Sequence, residues 1–207
     1  MYITQRFMIR MERMYLQCRG IGIPMLAPLL ANYIILPLSV FLFARSGDYQ
    51  GAEEYAWRLS FLFLPIMSVW WVILVLEKSL EEQGELFYLY ERAKWVDVLL
   101  YYFAYLLFSS PLCLHFMARW PDDFYPETIA MLFAQCFFSV CLVYLLCFMT
   151  KSVVVSFVTI LAFTLYAEGR LYFLFERFGM ANWISGPGYC VVGLFCLLIG
   201  ITFQKSK

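Results

Sequence analysis

Charged side chains are scarce in this sequence. The 207 residues include 15 Lys and Arg and 15 Asp and Glu, which together make up 14% of the chain. Soluble domains carry about a quarter charged residues, so these side chains are too few to solvate a globular surface of this size. The formal net charge is zero, which argues against a protein that binds nucleic acid or another polyanion. The composition therefore predicts that lipid, and not water, surrounds most of the chain.

Catalytic and metal-binding patterns are also scarce. His115 is the single histidine, and the seven cysteines include no C-x-x-C pair, so the sequence predicts no Cys/His metal site. The cysteines fall almost entirely inside apolar runs and are interpreted as packing residues. A disulfide between Cys113 and Cys190 stays open as an alternative. The sequence has no G-x-x-x-x-G-K-[ST] loop, and it therefore lacks the backbone cradle and lysine that hold nucleotide phosphates.

Long apolar runs dominate what is present, with 63% hydrophobic residues and a mean hydropathy of +0.74. A spanning helix needs roughly 20 mostly apolar residues, and continuous apolar runs indicate helices instead of strands. The runs predict an all-α integral membrane protein with six transmembrane helices, at residues 21–44, 59–76, 96–117, 128–150, 152–167 and 187–203. The fifth run is short, so its helix either extends into residues 169–178 or is broken near there.

Basic residues predict the orientation of the chain. Ten lysines and arginines fall in the segments on the side of the N-terminus, and five fall on the other side. By the positive-inside rule, this excess predicts a multi-pass protein of the cell membrane with both termini in the cytoplasm. The first apolar run is longer than the ~7–15 residues of a signal-peptide core, so no cleavable signal is expected.

Residues 1–20 are predicted to form an amphipathic helix that lies on the membrane surface. Arg6, Arg10 and Arg13 recur at helical spacing, beside an apolar stripe that begins at Phe7. A basic face next to an apolar face is typical of an interfacial helix. The alternative is a positively charged flank whose role is to set the topology.

Residues 77–95 form the main polar segment and are predicted to be a cytoplasmic helix between the second and third spans. Acidic residues outnumber basic ones there, whereas cytoplasmic loops usually carry an excess of basic residues. A short acidic helix with leucine and aromatic side chains fits a groove on a soluble partner. A solvated hairpin that connects the two spans is the alternative.

The order of these elements resembles the permease subunits of ABC type-2 exporters. In that family, the helix after the second span is the coupling helix, which docks into a cleft of the ATP-hydrolysing subunit. The family also commonly breaks the chain between spans five and six into short outer re-entrant helices, and residues 168–186 resemble that element. The resemblance implies ATPase docking by Glu81, Glu82, Gly84, Glu85, Leu86 and Phe87, and an outer gate at Glu168, Gly169 and Arg170.

The resemblance implies a permease subunit that forms half of a translocation pathway. This chain would bind no cofactor and would not be an enzyme by itself, because ATP and Mg²⁺ would bind to a separate P-loop subunit. A second copy or a homologous permease would complete the pathway, and membrane lipid would be the further partner. Charges are few within the spans, and Asp97 and Glu168 lie near span ends. A lipophilic or amphipathic cargo, such as a peptide, lipid or drug, is therefore expected.

Other functions stay open at this point. A self-sufficient channel, a secondary transporter or an accessory membrane subunit has similar spans and short loops. Residues 53–58 match E-E-x-x-x-R, a pattern of CAAX-type intramembrane proteases. Those enzymes need more than one histidine, whereas this chain has only His115. His115 is interpreted as an interfacial or packing residue.

Glycine and proline residues predict close helix contacts and kinks within the spans. Gly193 and Gly200 are seven residues apart, on one face of the last span, and are predicted to admit a close neighbouring helix. Pro24, Pro28 and Pro37 predict kinks in the first span.

Overall fold

The computed structural model describes residues 2–45, 49–80, 94–120, 125–178 and 181–205, and no strand occurs in these ranges. The described helices are α1 (Tyr2–Ile21), α2 (Ile23–Arg45), α3 (Tyr49–Leu80), α4 (Lys94–Arg119), α5 (Pro126–Thr150), α6 (Val153–Phe178) and α7 (Ala181–Lys205). The prediction of an all-helical protein is confirmed for this part of the chain.

Five of the described segments are long and apolar enough to cross a membrane. They are Ile23–Arg45, Gly51–Glu77, Lys94–Arg119, Pro126–Thr150 and Gly186–Gln204. In α6 the apolar stretch is shorter and covers Val153–Leu165. By length and composition, the described residues therefore show five spans, one fewer than the sequence predicts. The chain is a multi-pass membrane protein.

The second span begins earlier than the sequence predicts. The sequence predicts a polar connection up to residue 58, but α3 is continuous from Tyr49 to Leu80. Ala52 and Ala56 are buried in this first part of the helix, and the Arg58 guanidinium pairs with the Glu54 carboxylate one turn earlier at 2.5 Å. Burial on one face and an i,i+4 ion pair on the other stabilise helix in a segment that composition alone assigns to a loop.

Helix α5 is the centre of the bundle. It contacts α3, α4, α6 and α7, and buried residues occur all around it, from Thr128 to Phe148. A helix that is apolar on every side is typical of a core or membrane-buried position. The described bundle is therefore arranged around α5.

A tight turn joins α5 to α6. Lys151 adopts a left-handed conformation with φ 55°, and its N–H donates to the Cys147 carbonyl at 3.0 Å. The Ser152 hydroxyl then accepts a hydrogen bond from the Val155 N–H at 3.3 Å and caps the start of α6. The two helices run antiparallel, with the rings of Phe138 and Phe163 5.3 Å apart.

Helix α6 continues to Phe178, and α7 begins at Ala181. The helix of the fifth apolar run therefore extends through residues 169–178, which is one of the two alternatives that the sequence leaves open. The described part of residues 168–186 is helical, and re-entry of this segment into the membrane from the outer side stays a prediction.

Helices α5 and α7 lie side by side and run in the same direction. Three glycines of α7, at intervals of seven residues, face three residues of α5 at the same interval. A Cβ placed on Gly186, Gly193 or Gly200 would lie 3.8, 3.2 or 3.4 Å from the Cα of Met131, Phe138 or Leu145, respectively. We call this contact the glycine seam. It confirms the close neighbour predicted for Gly193 and Gly200, and its seven-residue period is that of helices that supercoil left-handedly.

Candidate functional site

The residues that the resemblance singles out lie mostly beyond what the structure describes. Residues 81–93 are outside the described residues, and with them Glu81, Glu82, Gly84, Glu85, Leu86 and Phe87. Glu168, Gly169 and Arg170 have a helical backbone within α6, and their side chains are outside the described part. ATPase docking and outer gating therefore stay predictions.

The protease-like pattern shows a simple helical arrangement. Glu54 and Arg58 form the exposed ion pair of α3. His115 is exposed on α4, and its ring lies 6.2 Å from that of Phe116. No group of three or more His, Cys, Asp or Glu side chains that could hold a metal ion occurs among the described residues.

The cysteines act as apolar side chains in the described bundle. Cys113 is buried and Cys190 is exposed, and both are free thiols. The disulfide left open by the sequence is therefore not formed between them. Cys136, Cys141, Cys147 and Cys196 are also free and buried, which agrees with their interpretation as packing residues.

Asp97 is tied to the N-terminal helix. The Arg10 guanidinium donates to the Asp97 carboxylate at 2.7 Å, and the two side chains are 27% and 16% exposed. The sequence places Asp97 near the start of the third span, and the structure supplies its partner from α1. The ion pair joins α1 to the start of α4, directly after residues 81–93.

Helix α2 is continuous but changes helix type along its length. Gly22 precedes it with a left-handed φ of 72°, and a 3₁₀ turn (Ile23–Leu26), a short α-helical turn (Ala27–Leu30), a π-helical turn (Ala31–Ile35) and a final α-helix (Leu36–Arg45) follow. Pro28 and Pro37 lack a backbone N–H and flank the π-helical turn. The irregular turns fall where the prolines predict kinks.

The π-helical turn contains a buried amide. Asn32 is 1% exposed, and its Nδ2 donates to the Tyr105 hydroxyl of α4 at 3.0 Å. Asn32 lies ~14 Å along the span from Ile23, and Tyr105 lies ~17 Å from Lys94, at 1.5 Å rise per residue. The pair is therefore near the middle of both spans, where polar groups are costly to bury.

Aromatic side chains fix α2 around this pair. The indole N–H of Trp70 donates to the Pro24 carbonyl at 2.9 Å, and that of Trp71 donates to the Met25 carbonyl at 2.7 Å. Trp71 also meets the Tyr105 ring edge-on, at 6.1 Å between centroids. These bonds supply donors to the irregular first turns of α2 and hold them against α3.

A second hydrogen bond joins α2 to α4, from the residue after Asn32. The Tyr33 hydroxyl donates to the Phe108 carbonyl of α4. We call Asn32, Tyr33, Trp71 and Tyr105 the mid-membrane cluster. It is uncharged, and it combines hydrogen-bonding groups with a π-helical turn.

No protein-family model, curated protein or solved structure matches this chain. The function is therefore argued from the mid-membrane cluster and the arrangement of the helices.

Sequence reasoning missed Asn32. The available signal was an asparagine between two prolines in a run that is otherwise almost wholly apolar. Charged residues are the usual sign of function inside a span, whereas a neutral amide is less conspicuous although its burial also needs a partner.

Proposed function

We propose that this chain is the membrane-spanning permease subunit of an ATP-driven exporter, and that it forms half of a translocation pathway. The observation that carries the proposal is the irregular helix α2, which has a π-helical turn and a buried amide near its middle. Single π-helical turns within α-helices are frequently found at functional sites.

The proposed permease crosses the membrane six times. Gly186 lies beside Met131 and Gly200 beside Leu145, so α5 and α7 lie side by side and run in the same direction. In the proposal, α6 returns the chain across the membrane between them. With α2, α3 and α4, the proposed count is six crossings, and the positive-inside rule predicts cytoplasmic termini.

In this proposal, ATP is hydrolysed by a separate protein. Since the sequence has no P-loop, ATP and Mg²⁺ bind to a partner ATPase, which docks on residues 81–93 as the resemblance to ABC type-2 permeases implies. A second permease completes the pathway. The proposed six-span order, the acidic segment at residues 77–95 and the irregular first span together favour this function over an accessory subunit.

The ion pair between Arg10 and Asp97 suggests how docking is transmitted. Residues 81–93 lead directly into α4, so a push on this segment moves the start of α4. Arg10 is bound to Asp97 at 2.7 Å, and α1 therefore moves with α4. Tyr105 on the same helix contacts Asn32, so the movement reaches the π-helical turn of α2.

Affinity purification of the tagged chain from its native membrane tests the proposal. We expect a P-loop ATPase to co-purify in near-stoichiometric amount, as seen by mass spectrometry. The double variant Gly84→Trp, Glu85→Lys should lower this recovery at least about tenfold, equivalent to 1.4 kcal/mol of binding. The charge reversal Glu54→Lys, on the opposite side of the membrane, should leave recovery unchanged.

A chain that purifies without an ATPase in several mild detergents would overturn the proposal. That result would favour a self-sufficient channel or secondary transporter. Equal loss of the ATPase with Glu54→Lys would instead contradict docking at residues 81–93.

A further inference from the structure

Helix α1 is held to the bundle by one side. The Arg10 guanidinium binds the Asp97 carboxylate of α4 at 2.7 Å, and Met14 and Ile21 pack against the core of the bundle. At 3.6 residues per turn, these three residues of α1 lie within an arc of roughly 40°. One narrow side of α1 therefore faces the protein.

A second side of α1 is uncovered and apolar. Met8 and Tyr15 are 66% and 65% exposed, and Met11 is also exposed. The three residues recur at i, i+3 and i+7, which is the spacing of one helix face. We call them the Met–Tyr stripe. Its centre lies about a third of a turn around the helix axis from the side that faces the protein.

Two hydrogen bonds show that α2 and α4 begin at the same surface of the membrane. Asn32 of α2 is bound to Tyr105 of α4. The next residue, Tyr33, is bound to Phe108, further along α4, so the two helices run in the same direction. The first bond lies ~14 Å from the start of α2 and ~17 Å from the start of α4. The two starts therefore differ in depth by only about 3 Å.

These two starts set the direction of α1. Arg10 is bound to Asp97, which is three residues into α4. At the other end, Gly22 alone separates Ile21 from the first residue of α2. The stretch from Arg10 to Ile21 is ~17 Å long, and both its ends are held near the same membrane surface. Helix α1 therefore lies along the membrane and does not stand upright on it.

A helix that lies on the membrane beside its own bundle has protein on one side and lipid beneath the neighbouring side. The Met–Tyr stripe occupies such a neighbouring side. Interfacial helices bury their apolar face ~5–10 Å into the boundary between headgroups and acyl chains, and Tyr is enriched at this depth. Glu12 and Arg19 are exposed next to the stripe, on the side away from the protein, where the helix surface turns towards water.

We infer that Met8, Met11 and Tyr15 form a lipid-binding face, which anchors α1 in the leaflet on the side of the N-terminus. The lipid that it contacts is the apolar layer just below the headgroups. The bond from Arg10 to Asp97 fixes the rotation of α1, so that the Met–Tyr stripe meets this layer while Arg10 is used within the protein. The inference goes beyond the proposed function and does not depend on it.

Fluorescence quenching by lipid tests this face. The full chain is reconstituted in phosphatidylcholine vesicles with an environment-sensitive dye on Met11→Cys or, as the matched control, on Glu12→Cys. Cys18→Ser and Cys190→Ser form the background, so that the new thiol takes the dye. A phosphatidylcholine with a nitroxide near the top of its acyl chain is the quencher. We expect it to lower emission from Met11→Cys at least about threefold more than from Glu12→Cys, because only the first dye enters the acyl boundary.

The role of the ion pair is tested in the same vesicles. Arg10→Gln removes the charged partner of Asp97 and leaves the Met–Tyr stripe unchanged. We expect the difference in quenching between Met11→Cys and Glu12→Cys to shrink by at least about half, because α1 can then rotate about its axis. An unchanged difference would overturn the claim that this ion pair fixes the rotation of α1.

Equal quenching at the two dye positions in the otherwise unaltered chain would overturn the lipid-binding face. Strong quenching at both would mean that α1 has no fixed lipid-facing side. Weak quenching at both would mean that water, a soluble protein or a second copy of the chain covers the Met–Tyr stripe. The exporter proposal is tested separately, since these vesicles contain no ATPase.

Discussion

At the scale of single residues, Tyr144 shows how closely α5 and α7 approach. Its side chain is 0% exposed, its hydroxyl donates to Gln204 Oε1 at 2.5 Å, and its ring meets that of Phe148 at 4.9 Å. A Cβ placed on Gly200 would lie 2.7 Å from this ring. Because the ring is held by contacts on several sides, it cannot turn away at low cost.

Gly200→Ala should therefore destabilise the protein. We expect a loss of about 1–3 kcal/mol in the free energy of unfolding, which is typical of an overpacked site. The measurement is the Tm of the purified protein in detergent, compared with the unaltered chain. Gly193→Ala should also lower the Tm, because its Cβ would meet the Phe137 ring at 3.0 Å.

Gly188→Ala is the control for these variants. A Cβ at Gly188 would meet nothing within 4 Å, so its Tm should equal that of the unaltered chain or rise slightly. Equal Tm values for Gly200→Ala and Gly188→Ala would contradict the glycine seam.

The sequence predicts some of these residue-level contacts and not others. Gly193 and Gly200 can be predicted from spacing alone, because one helix face is defined by its own periodicity. The pair of Asn32 and Tyr105 joins residues 73 positions apart. Its formation depends on how α2 packs against α4, which a single sequence does not contain.

At the scale of helices, the contact between α1 and α4 rests on a charged hydrogen bond. Asp97→Asn removes the charge and should weaken the attachment of α1. A part-buried bond of this kind contributes about 1.5–3 kcal/mol, which we reduce to about 1–2 kcal/mol because Arg10 is 27% exposed. A double-mutant cycle with Arg10→Gln, measured by unfolding in detergent, gives this coupling energy.

The pair of Glu54 and Arg58 serves as the comparison. These side chains are 61% and 56% exposed, so their cycle should give a coupling of at most about 0.5 kcal/mol. A coupling between Arg10 and Asp97 no larger than this would mean that the ion pair does not hold α1 in place.

Helices could be predicted from the sequence more reliably than their ends. The apolar runs predict the five helices that are long and apolar enough to cross a membrane, yet α3 begins at Tyr49, ten residues before the predicted start. Hydropathy recognises lipid-facing residues, whereas Ala52 and Ala56 are buried against protein beside the charges of Glu54 and Arg58. An extension of a helix beyond the bilayer is set by such packing and not by its hydropathy.

At the scale of the whole molecule, the number of crossings can be measured directly. Reporter enzymes that are active on one side of the membrane are fused after Lys151, Phe178 and Lys205. Six crossings place the fusions after Lys151 and Lys205 in the cytoplasm and the fusion after Phe178 outside. A cytoplasmic reporter after Phe178 would mean that α6 does not cross, and the parallel arrangement of α5 and α7 would then be wrong.

The partner and the pathway are the parts that sequence patterns predict least. Residues 77–95 have the composition of a docking helix, but the shape of a docking surface is a joint property of two proteins. The mid-membrane cluster likewise takes its character from three helices that meet. The fold class follows from composition, whereas the site follows from contacts between distant parts of the chain.

The glycine seam also constrains how the protein is made. Helix α5 is synthesised well before Gly186, so its aromatic face stays uncovered while α6 emerges and turns back. At about 5–20 residues per second, the wait for the seam is about 2–7 s. A ribosome that stalls in this interval leaves the central helix of the bundle without its closest neighbour. Arrival of α7 is thus the step that covers the face of α5 formed by Met131, Phe138 and Leu145.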